Sequence, residues 1–181
     1  MSSKQEPELA QNIEPANPIA VANKIVLQQL SNAPKTRAQL AEKLTKKNTP
    51  LPVIESVLDR FTELGYIDDF AYAQMFIRSK MLNKHLSTRA LRYELMKCGI
   101  DKEVIAIALA ELSDETELET AQALVHKKLR SMRNLDEDSK VRRLMAALAR
   151  KGFSPAISSQ AIAKEVASES VVQEQVDALS P

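Results

Sequence analysis

Two adjacent carboxylates, Asp68 and Asp69, are the residues best placed for acid–base chemistry in this 181-residue chain. Such chemistry requires a pocket that shifts the pKa of one carboxyl group. The pair instead stands directly before Phe70, where a helix is expected to begin. An aspartate there accepts a hydrogen bond from a free backbone N–H and complements the helix dipole. We therefore interpret the pair as a helix cap. The nearest histidine, His85, completes no metal-ligand spacing of a known loop.

The two histidines, His85 and His126, and the single cysteine, Cys98, provide no second candidate. The histidines lie far apart without the spacing of a zinc motif, so we interpret both as exposed polar residues on basic helices. A neighbouring lysine such as Lys97 is typical of reactive cysteines, but Cys98 directly precedes Gly99, where a small residue is simply tolerated. Three scattered glycines exclude a glycine-rich phosphate loop. The residues therefore indicate neither an enzyme nor a bound metal or cofactor.

The composition predicts an all-α protein. Hydrophobic residues make up 44% of the chain and aromatic residues only 4%, while the abundant Leu, Ala, Lys, Glu and Gln favour helices. Strand-forming residues never alternate over a useful stretch. No apolar run approaches the length of a membrane span, and the N-terminus lacks a signal-peptide pattern. A single cysteine cannot form an intrachain disulfide. We expect a monomeric protein of the cytoplasm.

An internal repeat organises most of the chain. The segments TRAQLAEKLTKKN, STRALRYELMKCG and KVRRLMAALARKG end at Asn48, Gly99 and Gly152. Each segment has leucines eight and four positions before its end, a spacing that places both on one helical face. A second set of blocks, ANKIVLQQL, AQMFIRSKM and AQALVHKKL, begins at positions 22, 73 and 121, which gives repeats of 51 and 48 residues. The leucines predicted to face inward are Leu40, Leu44, Leu91, Leu95, Leu144 and Leu148.

Each repeat has room for three helices. The predicted helices span about 20–32, 36–47 and 51–64, then 70–83, 87–98 and 101–112, then 115–132, 139–151 and 155–168. We expect a disordered tail over 1–18, repeats over 19–66, 67–113 and 114–168, and a flexible tail over 169–181. Three tandem three-helix repeats are expected to form an elongated, curved array with an extended surface for a large partner.

Glycines mark the ends of helices in this pattern. Gly99 and Gly152 follow the second helix of their repeats, and Gly65 follows the third helix of the first repeat. A helix often ends with a residue in the left-handed conformation, which glycine adopts at little steric cost. Asn48 takes that place in the first repeat, because asparagine tolerates the same conformation.

Basic residues cluster in the second and third repeats, although the net charge of the chain is only +1. Arg89 and Arg92 lie three apart on the fifth helix, as do Lys140 and Arg143 on the eighth, so each pair shares a face. Two interpretations remain open, namely solvated helix faces or a surface for nucleic acid or an acidic protein groove. The candidate partner-binding residues are Arg78, Lys80, Lys84, Arg89, Arg92, Lys127, Lys128, Arg130, Lys140, Arg142, Arg143, Arg150 and Lys151.

The stretch LGYIDDFAYAQMFIRSK resembles the junction between the first and second repeats in RecX proteins, the regulators of the RecA recombinase. LRYELMKCGI and LMAALARKGF resemble the helix ends that close the later repeats of that family, and the resemblance covers residues 20–167. Ala71 and Tyr72 stand where arginine and phenylalanine are common, and His85, Ser87 and Asn48 replace common glycines. The junction positions are filled by Gly65, Tyr66, Ile67, Asp68, Asp69, Tyr72, Ala73, Phe76, Ile77 and Arg78.

The resemblance implies three tandem three-helix modules and a non-enzymatic, cytoplasmic modulator. Members of the family bind the RecA–DNA filament along its helical groove, restrain its ATP hydrolysis and strand exchange, and limit filament growth. This would place the chain in the regulation of DNA repair, homologous recombination and the SOS response.

Two other functions remain open. Three-helix units can place a helix in the major groove, so tandem units could bind single- or double-stranded DNA without a recombinase. The small net charge counts against strong non-specific binding, although local basic patches still attract phosphate. A helical-repeat scaffold with an unrelated partner also fits the pattern.

Overall fold

The computed structural model describes residues 17–132 and 134–178, with side chains described up to residue 167. All regular secondary structure in these ranges is helical, which confirms the predicted all-α fold. The helices are α1 (Pro18–Asn32), α2 (Arg37–Thr45), α3 (Leu51–Glu63), α4 (Asp69–Lys84), α5 (Thr88–Lys97), α6 (Lys102–Ala110), α7 (Asp114–Leu129), α8 (Glu137–Arg150) and α9 (Pro155–Ala178).

The last helix is longer than the sequence analysis predicts. α9 continues to Ala178, whereas the predicted end lies near 168. Residues 169–178 contain neither glycine nor proline, so nothing local stops the helix once it has begun. The flexibility expected for 169–181 stays a prediction, and the tail expected over 1–18 lies almost entirely outside the described residues.

Short polar side chains begin several of these helices. The Asp68 carboxylate accepts a hydrogen bond from Ala71 N at 2.8 Å, which confirms the capping role predicted for this aspartate. Ser154 Oγ accepts from Ile157 N at 3.2 Å, and Pro155 follows as the first residue of α9. Each cap satisfies a backbone donor that has no partner within its helix.

The left-handed helix ends also agree with the sequence pattern. After the cap, the backbone N–H of Phe153 returns to the carbonyl oxygen of Leu148 at 3.2 Å, and the N–H of Ile100 returns to that of Leu95 at 3.4 Å. Phe153 and Ile100 are both buried, so these ends combine a hydrogen bond with an apolar contact. The left-handed residues and their φ angles are Gly65 (74°), Gly99 (75°), Gly152 (92°), Asn48 (57°) and His85 (48°).

Each repeat buries its own apolar core. All six leucines predicted to face inward are at most 1% exposed, which confirms the register of the repeat. The first and third helices of every repeat pack together, as α1 with α3, α4 with α6, and α7 with α9. One core contains Ala22, Leu40 and Phe61, the second Ala73, Leu91 and Ile105, and the third Ala121, Leu144 and Phe153.

The contacts divide the chain into two units. The first unit contains α1, α3 and Leu40–Thr45 of α2, and the second contains α4 to α9 together with Thr36 and the first three residues of α2, Arg37–Gln39. The candidate residues for partner binding all belong to the second unit. Among the described residues, no helix is both long and apolar enough to cross a membrane.

Candidate partner-binding surfaces

The basic face of α5 lies to one side of its buried leucines. Arg89 and Arg92 are exposed, whereas Leu91 and Leu95 are fully buried. Because the two arginines are one helical turn apart, their guanidinium groups project from the same side. This face can therefore meet two neighbouring anionic groups, such as phosphates or carboxylates.

An aromatic ring extends the same exposed side of α5. Tyr93 is 59% exposed, and Lys97 Nζ lies 4.3 Å from the centroid of its ring. Lys97 also lies 3.5 Å from Glu94. Met96 adds a second exposed apolar side chain. The helix thus offers apolar contact area next to its two arginines. The low aromatic content of the sequence did not indicate this area.

The other predicted cations differ in how freely they meet solvent. Lys140 Nζ lies 2.7 Å from Glu137 Oε1 and its side chain is only 17% exposed, so its charge is paired within α8. Arg142 Nη2 donates to Ser139 Oγ at 3.3 Å. Lys80 Nζ lies 4.9 Å from the Phe76 ring centroid. Lys80, Lys140 and Lys151 are half-buried, and the exposed cations are Arg78, Lys84, Arg89, Arg92, Lys127, Lys128, Arg130, Arg142, Arg143 and Arg150.

His85 lies at the end of α4, where the charges of two lysines act on it. His85 follows α4 in a left-handed conformation with φ 48° and is half-buried. The exposed helical position predicted for it is therefore wrong, because His85 serves as the cap residue. Burial, followed by the charges of Lys127 and Lys151, lowers the pKa of His85. Lys127 belongs to α7, and Lys151 directly follows α8.

A long open groove runs between α4 and α7, with a volume of about 520 Å³. We call it the α4–α7 groove. Its apolar surface includes Ile77, Met81 and Leu82 of α4 and Ala123 of α7. The remaining lining residues are Gln74, Arg78, His85, Ala108, Glu111, Leu112, Thr116, Glu119 and Thr120. The sequence analysis missed this groove, because it is formed by residues on three separate helices.

A repeated joint fixes the start of α2 against α4 and α5 within the second unit. The Asp69 carboxylate accepts a hydrogen bond from Arg37 N at 2.9 Å. Thr36 Oγ1 donates to the Cys98 carbonyl oxygen at 2.7 Å, and Thr36 is completely buried. Burial raises the pKa of Asp69, and the hydrogen bond from Arg37 opposes that shift. Asp69 therefore caps α2 rather than its own helix.

The same joint recurs between α5 and the third repeat. The Glu117 carboxylate accepts from Thr88 N at 3.2 Å and from Thr88 Oγ1 at 2.9 Å. Ser87 N donates to the Lys151 carbonyl oxygen at 3.0 Å. At both joints, a carboxylate from the first helix of a repeat caps the second helix of the repeat before it. The sequence analysis assigned no capping role to Glu117.

Glycine permits the close backbone approach at both joints. A Cβ atom at Gly99 would lie 2.3 Å from the Ala38 Cβ, and one at Gly152 would lie 2.4 Å from Ser87 Oγ. A Cβ at Gly65 would meet nothing within 4 Å. Asn48 holds the equivalent position in the first repeat and is exposed, so a side chain fits there. Gly99 and Gly152 thus serve both as helix ends and as contact points.

Cys98 and His126, which the sequence analysis considered for chemistry, both contact other side chains. The Tyr72 hydroxyl lies 3.9 Å from Cys98 Sγ, and burial raises the pKa of Tyr72. His126 Nδ1 lies 3.3 Å from Glu165 Oε2. In the part of the chain that the structure describes, no three His, Cys, Asp or Glu residues lie close enough together to hold a metal ion.

Comparison with known proteins agrees with this three-repeat geometry. Family profiles for the first, second and third three-helix domains of RecX match residues 23–61, 68–109 and 115–162. The chain belongs to the RecX family. The regulatory protein RecX of Streptomyces coelicolor is 44% identical over 140 residues, which cover 77% of this chain and 74% of that protein. The Thermobifida fusca protein of the same name is 38% identical over 167 residues, which cover 92% and 89%.

A solved structure supports the RecX fold independently of close sequence identity. The crystal structure of RecX from Lactobacillus salivarius superposes with a TM-score of 0.73 at 24% identity and covers 82% of this chain and 96% of that one. The three-module organisation implied by the junction motif is thus a property of RecX proteins that this chain shares. The joint carboxylates Asp69 and Glu117 lie within the matched second and third domains.

Proposed function

We propose that this RecX-family chain is a non-enzymatic modulator that binds the RecA–DNA filament and inhibits its ATP hydrolysis, strand exchange and growth. Membership of a family of regulatory proteins supports a regulatory role. The proposed partner is the RecA recombinase on DNA, and the chain acts as a cytoplasmic monomer in the control of homologous recombination and the SOS response.

The observation that carries the proposal is the exposed basic face on α5. Arg89 and Arg92 have no structural task in the core, since the neighbouring leucines alone fill the buried side of the helix. The filament offers two kinds of anionic surface, the phosphates of its DNA and acidic side chains of the recombinase. Charge-assisted contacts to either contribute about 1.5–3 kcal/mol when water is excluded and below about 1 kcal/mol at an exposed rim.

The double variant Arg89→Ser/Arg92→Ser tests this surface. The fold should be retained, because both side chains are exposed. Inhibition of DNA-dependent ATP hydrolysis by RecA should weaken, and its dependence on salt should become shallower because fewer charges are neutralised. The control variant Lys43→Ser/Lys47→Ser removes the same charge from exposed positions of the first repeat and should inhibit like wild type.

Two outcomes would overturn parts of the proposal. A double arginine variant that inhibits like wild type at every salt concentration would move the contact surface elsewhere. Direct binding of DNA is the second candidate function, since the same arginines suit phosphate. Retention of the wild-type chain on duplex or single-stranded DNA, with no effect on RecA filaments, would favour that function.

A further inference from the structure

The α4–α7 groove differs from the basic surfaces because its lining includes apolar side chains that solvent can reach. Gln74 Nε2 donates to Glu111 Oε2 at 2.9 Å, which places one end of the groove at the second turn of α4. His85 lies at the other end. Gln74 and His85 are eleven positions apart, which is about 17 Å of helix at 1.5 Å per residue. The groove is therefore about three helical turns long.

Apolar side chains are left accessible along this length. Leu82 is 71% exposed, and Ala123 is exposed on the facing helix. Ile77 and Met81 belong to the buried core beneath them. The apolar strip that Met81 and Leu82 form opposite Ala123 suits the apolar stripe of a helix, as in other helix-in-groove complexes.

Charge distinguishes the two ends of the groove. Glu111 and Glu119 lie toward the start of α4 and α7, and Glu111 is already engaged by Gln74. At the opposite end, burial and then the positive charges of Lys127 and Lys151 lower the pKa of His85. A carboxylate brought to this end would be attracted by the charges of Lys127 and Lys151.

We propose that the α4–α7 groove binds an amphipathic helix of the protein partner, with an apolar stripe against Leu82 and Ala123 and an acidic side chain at the His85 end. The identity of that partner as RecA rests on the proposed function. The groove contacts protein, whereas the basic face of α5 is free to meet phosphate. The two surfaces would thus divide the recognition of a protein–DNA filament between them.

A neutral double substitution tests the groove without changing its charge. Leu82→Gln/Ala123→Gln places two polar side chains at exposed positions of the lining. Ala106→Gln/Ile107→Gln is the matched control, since both residues are exposed on α6 outside the groove and Ile107 is 60% exposed. Co-sedimentation with preformed RecA–DNA filaments and fluorescence anisotropy with labelled single-stranded DNA alone provide the two measurements.

The groove variant should associate with filaments about tenfold more weakly, with DNA affinity and helicity unchanged, while the control variant behaves as wild type. Wild-type association of the groove variant would overturn the groove alone and leave the proposed function intact. A parallel loss of DNA affinity would also overturn it, because the groove would then hold nucleic acid. A wild-type chain that leaves RecA filaments unaffected would overturn the proposed function, and the groove's assigned occupant with it.

Discussion

Replacing Gly152 with alanine tests the close approach at the second repeat joint. The new Cβ would lie 2.4 Å from Ser87 Oγ and 3.0 Å from the Ala90 Cβ. Ser87 Oγ accepts a hydrogen bond from Ala90 N at 3.2 Å and is held in a fully buried residue, so it cannot move without losing that cap. Left-handed strain contributes about 1–2 kcal/mol and overpacking a further 1–3 kcal/mol, approximately.

Gly65→Ala is the matched control for this variant. Its φ of 74° imposes the same kind of strain, but a Cβ there has no neighbour within 4 Å. Gly152→Ala should therefore lower the free energy of unfolding by about 2–5 kcal/mol and Gly65→Ala by about 1–2 kcal/mol. The stiffening of the unfolded chain by alanine affects both variants alike and cancels in the difference.

Urea unfolding followed by circular dichroism at 222 nm measures the two free energies. Amide hydrogen exchange in α3 and α5 then reports the local stability around each site, since the two glycines lie in different units. Equal destabilisation by the two variants would show that strain alone matters and that the close approach does not persist in solution.

The first joint allows the same reasoning to be checked by compensation. Gly99→Ala introduces a Cβ 2.3 Å from that of Ala38, and Ala38→Gly removes the opposing atom. The double variant should recover part of the stability lost by Gly99→Ala, with a favourable coupling of about 0.5–3 kcal/mol. Strictly additive effects of the two substitutions would contradict direct contact between these positions.

Three further predictions follow from the core, the joint and the basic cluster. Leu95→Ala should lower the free energy of unfolding by about 2–5 kcal/mol, because Leu95 is fully buried; wild-type urea unfolding would show the repeat register to be wrong. Asp69→Asn should keep the acceptor for Arg37 N and match or exceed wild-type stability above about pH 4. The raised pKa of Asp69 means that the stabilising contribution of this carboxyl group is lost as pH rises. Asp69→Ala should lower the free energy of unfolding by about 0.5–2 kcal/mol, and equal losses in both variants would make the charge itself stabilising. His85 should titrate below about pH 6.5 when followed by NMR. Its contribution to stability is therefore present above that pH and lost as pH falls through the lowered pKa. Lys127→Ala should raise the midpoint of the His85 titration, and an unchanged midpoint would exclude an effect of the Lys127 charge.

The local structure of this protein is determined by its sequence. The inward leucines, the cap at Asp68 and the left-handed residue at Asn48 all follow from interactions within one or two helical turns. Such features depend on spacings of three to five residues, and these are legible without knowing how the helices pack. The exception among helix limits is α9, where an absence of helix-breaking residues let the helix run beyond its predicted end.

The joints, the groove and the surroundings of His85 were decided by the tertiary structure. Asp69 reads as a cap for the helix it begins, yet its carboxylate bonds to Arg37, 32 residues earlier. Glu117 bonds to Thr88 across 29 residues, and nothing in the local sequence marks it. These contacts require that separate helices first pack their leucine faces. Helix packing, rather than neighbours along the chain, sets which surface side chains meet. The groove and the joints therefore had no sequence signature.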